Sequence, residues 1–144
     1  MLTIKRATER DSKIIAEIFT GLYTEELIKE EKIKNNIINV EREYYISFIG
    51  KKPVGVICLR FYGKQCELVG ISVTEKRKGY GYKLLKFAEK LARDKGCKKI
   101  WCYSLELHGA QDFYKKYGWK EVDYVIDYFP GKNCYKFSKK LDSF

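Results

Sequence analysis

The chain has 144 residues, a formal net charge of +10 at pH 7 and an apolar fraction of 45%. This length is typical of one domain that buries roughly two thirds of its unfolded surface, so we expect a single domain over residues 1–144. No apolar run approaches the ~18 residues that span a bilayer, and residues 1–12 lack the hydrophobic segment of a secretory signal, which predicts a cytoplasmic protein without membrane contact.

The first half of the chain predicts one strand, two helices and three further strands. Alternating and 3.6-residue apolar periodicities separate these elements, and Gly50-Lys-Lys-Pro53 indicates a hairpin. The second helix has glutamates early and lysines late, the order that the helix dipole favours. We expect a strand over Thr3–Ala7, a helix from Asp11 or Ser12, a helix over Thr24–Asn36, and strands over Tyr44–Ile49, Val54–Tyr62 and Cys66–Val73.

The most informative stretch is residues 73–85, VTEKRKGYGYKLL, in which a β-branched strand passes through basic residues and Gly-x-Gly into an amphipathic helix. Apolar residues recur at positions 84, 85, 88, 91 and 92, and Gly96 ends the helix. The first amides of a helix lack intrahelical partners and carry partial positive charge, so they bind anions. Gly79 and Gly81 allow a phosphate to approach the backbone closely. This stretch therefore predicts a phosphate site.

Gly-x-Gly alone leaves the ligand open. A P-loop requires G-x-x-x-x-G-K-[ST], which does not occur in this sequence, and a dinucleotide fingerprint requires a third glycine where Leu84 lies. An ordinary strand-to-helix turn with solvated lysines also stays open at this point.

The second half of the chain predicts a strand over Lys99–Leu105, a short helix within residues 110–118, and two last strands over Lys120–Asp127 and Cys134–Lys140. Because long helices serve as crossovers between parallel strands, the sheet must be partly parallel. The order β-α-α-β-β-β-α-β-α-β-β predicts an α+β fold, with a mixed sheet of about seven strands flanked by about four helices.

Residues 73–85 and the later run AQDFYKKYGW at residues 110–119 together resemble the two motifs of the GNAT superfamily of N-acetyltransferases, in the family's order. Lys76 stands where the family has Arg or Gln. The resemblance implies splayed central strands and acetyl-CoA as co-substrate. The pyrophosphate of acetyl-CoA would lie on amides at the helix start, and its pantetheine arm would lie beside the preceding strand. The implied cofactor-binding residues are Ile71, Val73, Lys78, Gly79, Tyr80, Gly81 and Tyr82.

The resemblance also implies catalytic residues. Tyr114 matches the family's general acid, which donates to the departing thiolate, although a merely packed aromatic also fits. A base or a chain of water molecules is needed to neutralise the amine, and Glu67 is the first candidate base and Glu106 the second. The alternative for either residue is a carboxylate at the end of a strand that faces solvent or pairs with a neighbouring cation and has no catalytic role. A backbone N–H near Val73 would polarise the thioester carbonyl.

The resemblance implies that the acceptor is a primary amine of a small molecule or a peptide, and the sequence does not choose between these two classes. We expect its pocket between residues 19–27 and residues 124–130. Aromatic residues there are Tyr23, Tyr124, Tyr128 and Phe129, and acidic residues are Glu25, Glu26 and Asp127. The acidic side chains would meet a cationic amine or only solubilise the ends of their elements.

Three functions therefore stay open: acetyl transfer by direct attack of the amine, CoA binding without transfer on the same fold, and nucleic-acid binding by a basic module. Of the 29 basic residues 23 are lysines spread along the chain, so nucleic acid is not the expected partner. Five cysteines without paired spacing and a single histidine, His108, predict reduced thiols and no metal. A homodimer through an exposed last strand is a further open possibility.

Overall fold

The computed structural model describes residues 1–20, 22 and 25–141, except the side chains of residues 25 and 26. The strands are β1 (Leu2–Arg6), β2 (Glu43–Ile49), β3 (Lys52–Tyr62), β4 (Gln65–Val73), β5 (Lys99–Leu105), β6 (Lys120–Phe129) and β7 (Lys132–Lys140). The helices are α1 (Ser12–Ile18), α2 (Glu25–Ile28), α3 (Glu30–Ile38), α4 (Tyr80–Asp94) and α5 (Gln111–Lys116). Single 3-10 turns occupy residues 9–11 and 106–108.

The seven strands form one sheet in the order β1-β2-β3-β4-β5-β7-β6. Neighbouring strands are antiparallel except β4 and β5, which are parallel and are joined by the crossover helix α4. The predicted α+β fold with a seven-stranded mixed sheet is therefore confirmed, and every predicted strand is present.

Helices cover both faces of the sheet, because apolar residues alternate along the strands. Helices α1, α2 and α3 pack on one face over a buried cluster that includes Ile15, Leu27 and Ile33. Helix α4 packs on the other face with the residues around α5, and its apolar stripe includes Leu84 and Ala88. We call these the α1–α3 face and the α4–α5 face.

The predicted helix over Thr24–Asn36 is wrong in one respect, because it is two helices. The chain leaves helical geometry at Lys29, with φ −101° and ψ 117°. Leu27 and Ile33 are both buried against the sheet. On one continuous helix they would point about 120° apart, at about 100° per residue. The break turns both side chains into the same core. Thr24 lies outside the described residues.

A buried carboxylate fixes α4 against the strands. Glu89 is 2% exposed and accepts hydrogen bonds from Lys139 Nζ at 2.8 Å and Trp119 Nε1 at 3.0 Å. Lys139 also donates to the carbonyl oxygen of Tyr117 at 3.0 Å. A buried charge that is paired and hydrogen-bonded in this way holds its neighbours in one arrangement. The contacts join α4, the end of α5 and β7.

The five cysteines are buried free thiols. Within the described part of the chain, no three side chains of His, Cys, Asp or Glu come together as a metal site would require. None of the described helices is long and apolar enough to cross a membrane.

Candidate functional site

The centre of the sheet opens between its two parallel strands. Strands β4 and β5 pair only over residues 65–67 and 99–101, and the last pair is Glu67 with Trp101. Beyond it, β4 stays paired with β3 as far as Val73, whereas β5 stays paired with β7 as far as Leu105. Each strand therefore turns an edge without a ladder partner toward the gap. The predicted splay of the central strands is confirmed.

The gap forms a cleft of about 380 Å³. Its walls come from both parted strands, from α2 and Leu22 before it, from α5 and from the β6–β7 hairpin. The lining residues are Leu22, Leu27, Glu67, Leu68, Val69, Gly70, Ile71, Ser72, Lys76, Tyr103, Ser104, Leu105, His108, Ala110, Tyr114, Tyr128, Phe129 and Cys134. A cleft of this volume at the centre of a sheet is the expected place for a ligand.

A β-bulge in β4 shapes the wall on that side. Cys58 of β3 pairs with Gly70 while Leu59 pairs with Leu68, so Val69 is an extra residue without a partner. The bulge reverses the alternation of side chains. Val69 packs on the α1–α3 face, whereas Leu68 and Ile71 both pack on the α4–α5 face. The strand beyond the bulge thus bends away from β5.

Gly70 allows helix α2 to reach the cleft. A Cβ atom placed on Gly70 would lie 2.5 Å from Cδ1 of Leu27, a distance that real structures do not tolerate. Leu27 therefore needs glycine at this position in order to line the cleft.

Helix α4 begins beside the end of β4 in the way that an anion site requires. Gly79 is its N-cap with φ 80°, and no side chain caps the exposed amides. Its first turn contains no acidic residue. Lys76, Arg77 and Lys78 lie exposed just before it. The free amides and the basic rim both favour a negatively charged group.

The two glycines of the motif have different surroundings. A Cβ atom on Gly79 would meet nothing within 4 Å, so this glycine is required for its left-handed backbone alone. A Cβ atom on Gly81 would lie 3.4 Å from the ring of Phe113. Gly81 thus provides close packing of α4 on α5, and the expectation that it opens the backbone to a phosphate has no support in this contact.

Tyr114 lies in the wall of the cleft and is 4% exposed. Its ring packs between those of Trp119 and Phe137, with centroid distances of 5.3 Å and 5.1 Å. Burial raises the pKa of Tyr114 well above its ordinary value, and the neighbouring Cys102 raises it further. The phenol is therefore protonated at physiological pH. Tyr117, three residues on, packs against Tyr82 instead, at 4.5 Å.

Glu67 and Glu106, the two candidate bases, differ in the number of hydrogen bonds that their carboxylates accept. Glu67 lines the cleft at the point where β4 and β5 part, and its Oε1 accepts one hydrogen bond, from the hydroxyl of Tyr62 at 3.0 Å. Glu106 accepts hydrogen bonds at both oxygens, from Tyr124 at 2.9 Å and Tyr135 at 3.0 Å. Glu67 is thus the carboxylate with an oxygen left for a ligand.

The predicted cofactor-binding residues lie along one path. Ile71 lines the cleft, and Val73 ends β4 with its side chain packed against the core of the α4–α5 face. Residues 78–82 span the N-terminus of α4 and lie outside the cleft lining. Residues 74–77 connect the two groups. The residues present fit an extended ligand with a diphosphate, because unpaired strand edges lead to unpaired helix amides.

The predicted acceptor region is partly right. Leu22 and Leu27 line the cleft from one side, and Tyr128 and Phe129 line it from the other. Phe19, however, is fully buried in the core. Tyr23 and the side chains of Glu25 and Glu26 lie outside the described residues.

Two more residues of the predicted acceptor region do not line the cleft. Tyr124 packs on Tyr135 and donates to Glu106, and Asp127 accepts a hydrogen bond from the amide of Gly131 within the hairpin.

Sequence reasoning missed the contribution of β5. Tyr103, Ser104 and Leu105 line the cleft at the end of this strand. The splay leaves exactly this part of β5 without a neighbour on the β4 side. A signal was present, since a strand that follows the crossover helix must end at the same edge of the sheet as β4.

A family model described as the acetyltransferase (GNAT) family matches residues 12–119. No curated protein sequence matches the chain.

Solved structures of acetyltransferases share the fold. The ribosomal-protein-S18-alanine N-acetyltransferase from Escherichia coli superposes with a TM-score of 0.85 at 16% identity, covering 100% of this chain and 96% of that one. Ard1 from Thermoplasma volcanium has a TM-score of 0.81 at 20% identity, covering 99% of both chains. The PaiA N-acetyltransferase from Thermoplasma acidophilum, solved in complex with coenzyme A, has a TM-score of 0.78 at 23% identity, covering 97% of this chain and 99% of that one.

Proposed function

This chain belongs to the GNAT family of acetyltransferases, which take their acyl group from acyl-CoA, and from that premise we propose that it transfers the acetyl group of acetyl-CoA to a primary amine of a small molecule or peptide by direct attack. The observation that carries the proposal is the parting of β4 and β5 beside the uncapped start of α4. Both features offer main-chain hydrogen-bonding groups to one extended ligand.

Acetyl-CoA would be held largely by the main chain. The free edge of β4 at Ile71 and Val73 would pair with the amide groups of the pantetheine arm, and the amides of residues 78–82 would face the pyrophosphate. The exposed cations of Lys76 and Lys78 would add charge at the same end. The coenzyme would supply an activated thioester. The PaiA N-acetyltransferase, which shares the fold and was solved in complex with coenzyme A, supports coenzyme A as the carrier of the acyl group.

The acceptor amine must lose a proton before it can attack. A lysine-type amine with a pKa near 10.4 is neutral in only about one molecule in 2,500 at pH 7, which costs roughly 4–5 kcal/mol. Glu67 is positioned to receive that proton, directly or through water, because it lines the cleft and keeps an oxygen free of Tyr62.

The departing sulfur must gain a proton. Tyr114 is the donor that we assign, because it lines the cleft and its raised pKa keeps its hydroxyl protonated. Donation to a developing thiolate stabilises the charge where it forms. Tyr114 comes from α5 and Glu67 from β4, and both line the same cleft.

Two measurements test the proposal together. Isothermal titration with acetyl-CoA at physiological salt should give one site per chain, and thiol release should then rise with amine concentration in a panel of small amines and peptides. Tight binding without thiol release from any amine would support the non-catalytic interpretation. Absence of acetyl-CoA binding would refute the proposal.

A further inference from the structure

Part of the α1–α3 face carries no helix. The buried cluster beneath α1, α2 and α3 draws on β2, β3 and Val69 of β4, and it includes no described residue of β5 or β7. Aromatic rings follow one another across the uncovered part. Tyr62 and Trp101 lie nearly parallel with centroids 6.3 Å apart, and Trp101 meets Tyr103 edge-on at 5.7 Å. A row of rings on an open sheet surface is typical of a binding surface.

Two cations lie on these rings. Nζ of Lys136 is 4.7 Å from the centroid of the Trp101 ring and 5.5 Å from that of Tyr103. The guanidinium of Arg60 is 4.2 Å from the Tyr62 centroid. We call Arg60, Tyr62, Trp101, Tyr103 and Lys136 the aromatic platform. Contacts of this kind fix long side chains that would otherwise be mobile.

The two cations of the aromatic platform have no carboxylate partners in the described part of the chain. Within residues 25–141, neither Arg60 nor Lys136 has a carboxylate within ion-pair distance. Nε1 of Trp101 is buried and has no hydrogen-bond acceptor in the described part of the chain. Fixed cations without carboxylates of their own match a ligand rich in carboxylate oxygens.

The aromatic platform continues into the cleft. Tyr103 belongs to both, and its ring contacts Tyr128 of the cleft wall at 4.7 Å. Glu67 lies at the boundary, paired on β3 with Arg60 and on β5 with Trp101. A ligand that extends from the cleft across this boundary meets a carboxylate first and cations next.

We infer that the aromatic platform binds an acidic stretch of a polypeptide acceptor whose amine enters the cleft. This inference rests on the proposed acetyl transfer and names its substrate class: a peptide or protein with Asp or Glu close to the acetylated amine. The cationic amine meets Glu67, and the following carboxylates meet Lys136 and Arg60. From β7 to β3 is three strand spacings, about 14 Å, which an extended chain covers in about four or five residues.

Nucleic acid fits this surface less well, although its backbone is also anionic. Bases bind single-strand surfaces by stacking on open aromatic faces. Here Lys136 and Arg60 already lie against the rings of Trp101 and Tyr62. A base would have to displace them and lose the charges that attract the strand.

The test compares two peptides that differ only in charge. Both have the same length and amine, and one has Asp and Glu where the other has Asn and Gln. We expect kcat/KM to favour the acidic peptide by about three- to tenfold at low salt, through KM, because two exposed ion pairs contribute this much. In the double variant Arg60→Gln/Lys136→Gln, the ratio of kcat/KM for the acidic peptide to kcat/KM for the neutral peptide should fall to about one.

Lys51→Gln/Lys52→Gln is the matched control, because it removes two exposed lysines where the β2–β3 turn meets β3. Its charge change is equal, and the acidic preference should persist. The inference would be overturned if the wild type had equal kcat/KM for both peptides. It would also be overturned if the control variant lost its preference for the acidic peptide as fully as the Arg60→Gln/Lys136→Gln variant does.

Fluorescence anisotropy with the labelled acidic peptide separates failure of the inference from failure of the proposed function. Binding that requires Arg60 and Lys136, without thiol release from any amine, would refute acetyl transfer and still support the docking surface. An oligouridylate of equal charge that displaces the peptide at lower concentration would assign the aromatic platform to nucleic acid and overturn the inference.

Discussion

At the scale of single residues, the hydroxyl of Tyr114 is the group whose removal is most informative. We expect Tyr114→Phe to lower kcat by about a hundredfold or more, the usual contribution of a positioned proton donor. Affinity for acetyl-CoA should stay the same, because the ring still fills its place between Trp119 and Phe137. Steady-state thiol release and calorimetry measure the two quantities.

Tyr117→Phe is the matched control for this prediction, since it removes a phenol from the same helix end where the ring packs on Tyr82. Unchanged turnover in Tyr114→Phe would show that Tyr114 is a packing residue. A loss of the same size in both variants would point to a general disturbance of α5.

Glu67 gives a second prediction at this scale. A carboxylate that accepts the amine proton matters most where the amine is charged. Glu67→Gln should therefore lower kcat/KM strongly at pH 7, and the deficit should shrink as the pH approaches the pKa of the acceptor. The measurement is a pH profile of thiol release with one amine.

Glu106→Gln serves as the comparison, because two tyrosine hydroxyls already occupy its oxygens. We expect a smaller effect without this pH dependence. A larger loss in Glu106→Gln than in Glu67→Gln would reverse the assignment of the base.

At the scale of elements, we predict different effects for substitutions of the two glycines at the start of α4. Gly79→Ala should cost about 1–2 kcal/mol, the penalty of a side chain in left-handed geometry at φ 80°, and should weaken acetyl-CoA binding by disturbing the first turn. Gly81→Ala should leave stability and affinity nearly unchanged, since its Cβ makes a tolerable 3.4 Å contact with Phe113. Urea unfolding and calorimetry on both variants test this difference. Equal affinity losses would contradict it.

Much of the element order could be predicted from the sequence, because periodicity and glycine positions are local signals. The run at residues 73–85 predicts a helix at its Gly-x-Gly motif, and α4 begins inside this motif at Tyr80. The strand Lys99–Leu105 has the predicted bounds. The break at Lys29 could not be predicted, because the residues around it favour helix. Tertiary burial of Leu27 and Ile33 overrides that local preference.

The candidate site could likewise be predicted only where local sequence signals determine it. Tyr114, Glu67 and Ile71 were identified from motif and strand position, and all three line the cleft. The bulge at Val69 and the approach of Tyr103 to Tyr128 depend on pairings between distant strands. One sequence without tertiary contacts carries no signal for a one-residue change of register.

At the scale of the whole molecule, carboxylates tie distant segments together on the α4–α5 face of the sheet. Glu89 joins α4 to β7, as described above. Glu43, at the start of β2, accepts hydrogen bonds from the hydroxyl of Tyr45 at 2.6 Å and from Lys95 at 3.0 Å. Nη1 of Arg6, in β1, lies 4.0 Å from Oε1 of Glu43. The Glu43 cluster thus links the first strand, the second strand and the end of α4.

The Glu43 cluster predicts how stability depends on pH. Burial alone would raise the pKa of Glu43, but the hydrogen bonds from Tyr45 and Lys95 and the charges of Lys95 and Arg6 lower it below its ordinary value of 4.5. A depressed pKa means that the folded state favours the ionised form. The stabilisation is therefore complete above pH 4.5 and is lost as the pH falls through the folded-state pKa.

Glu43→Gln should accordingly be less stable than the wild type by about 2 kcal/mol at pH 7, the size of a charge-assisted hydrogen bond, and the difference should narrow below about pH 4.5. Urea unfolding at several pH values measures both proteins. Glu121→Gln provides the control, since Glu121 pairs with Lys115 on the surface at 3.5 Å and exposed pairs contribute less than about 1 kcal/mol. A difference that stays constant or widens in acid would show that Glu43 is not the carboxylate whose protonation weakens the fold, because only a group with a depressed pKa loses its contribution in that direction.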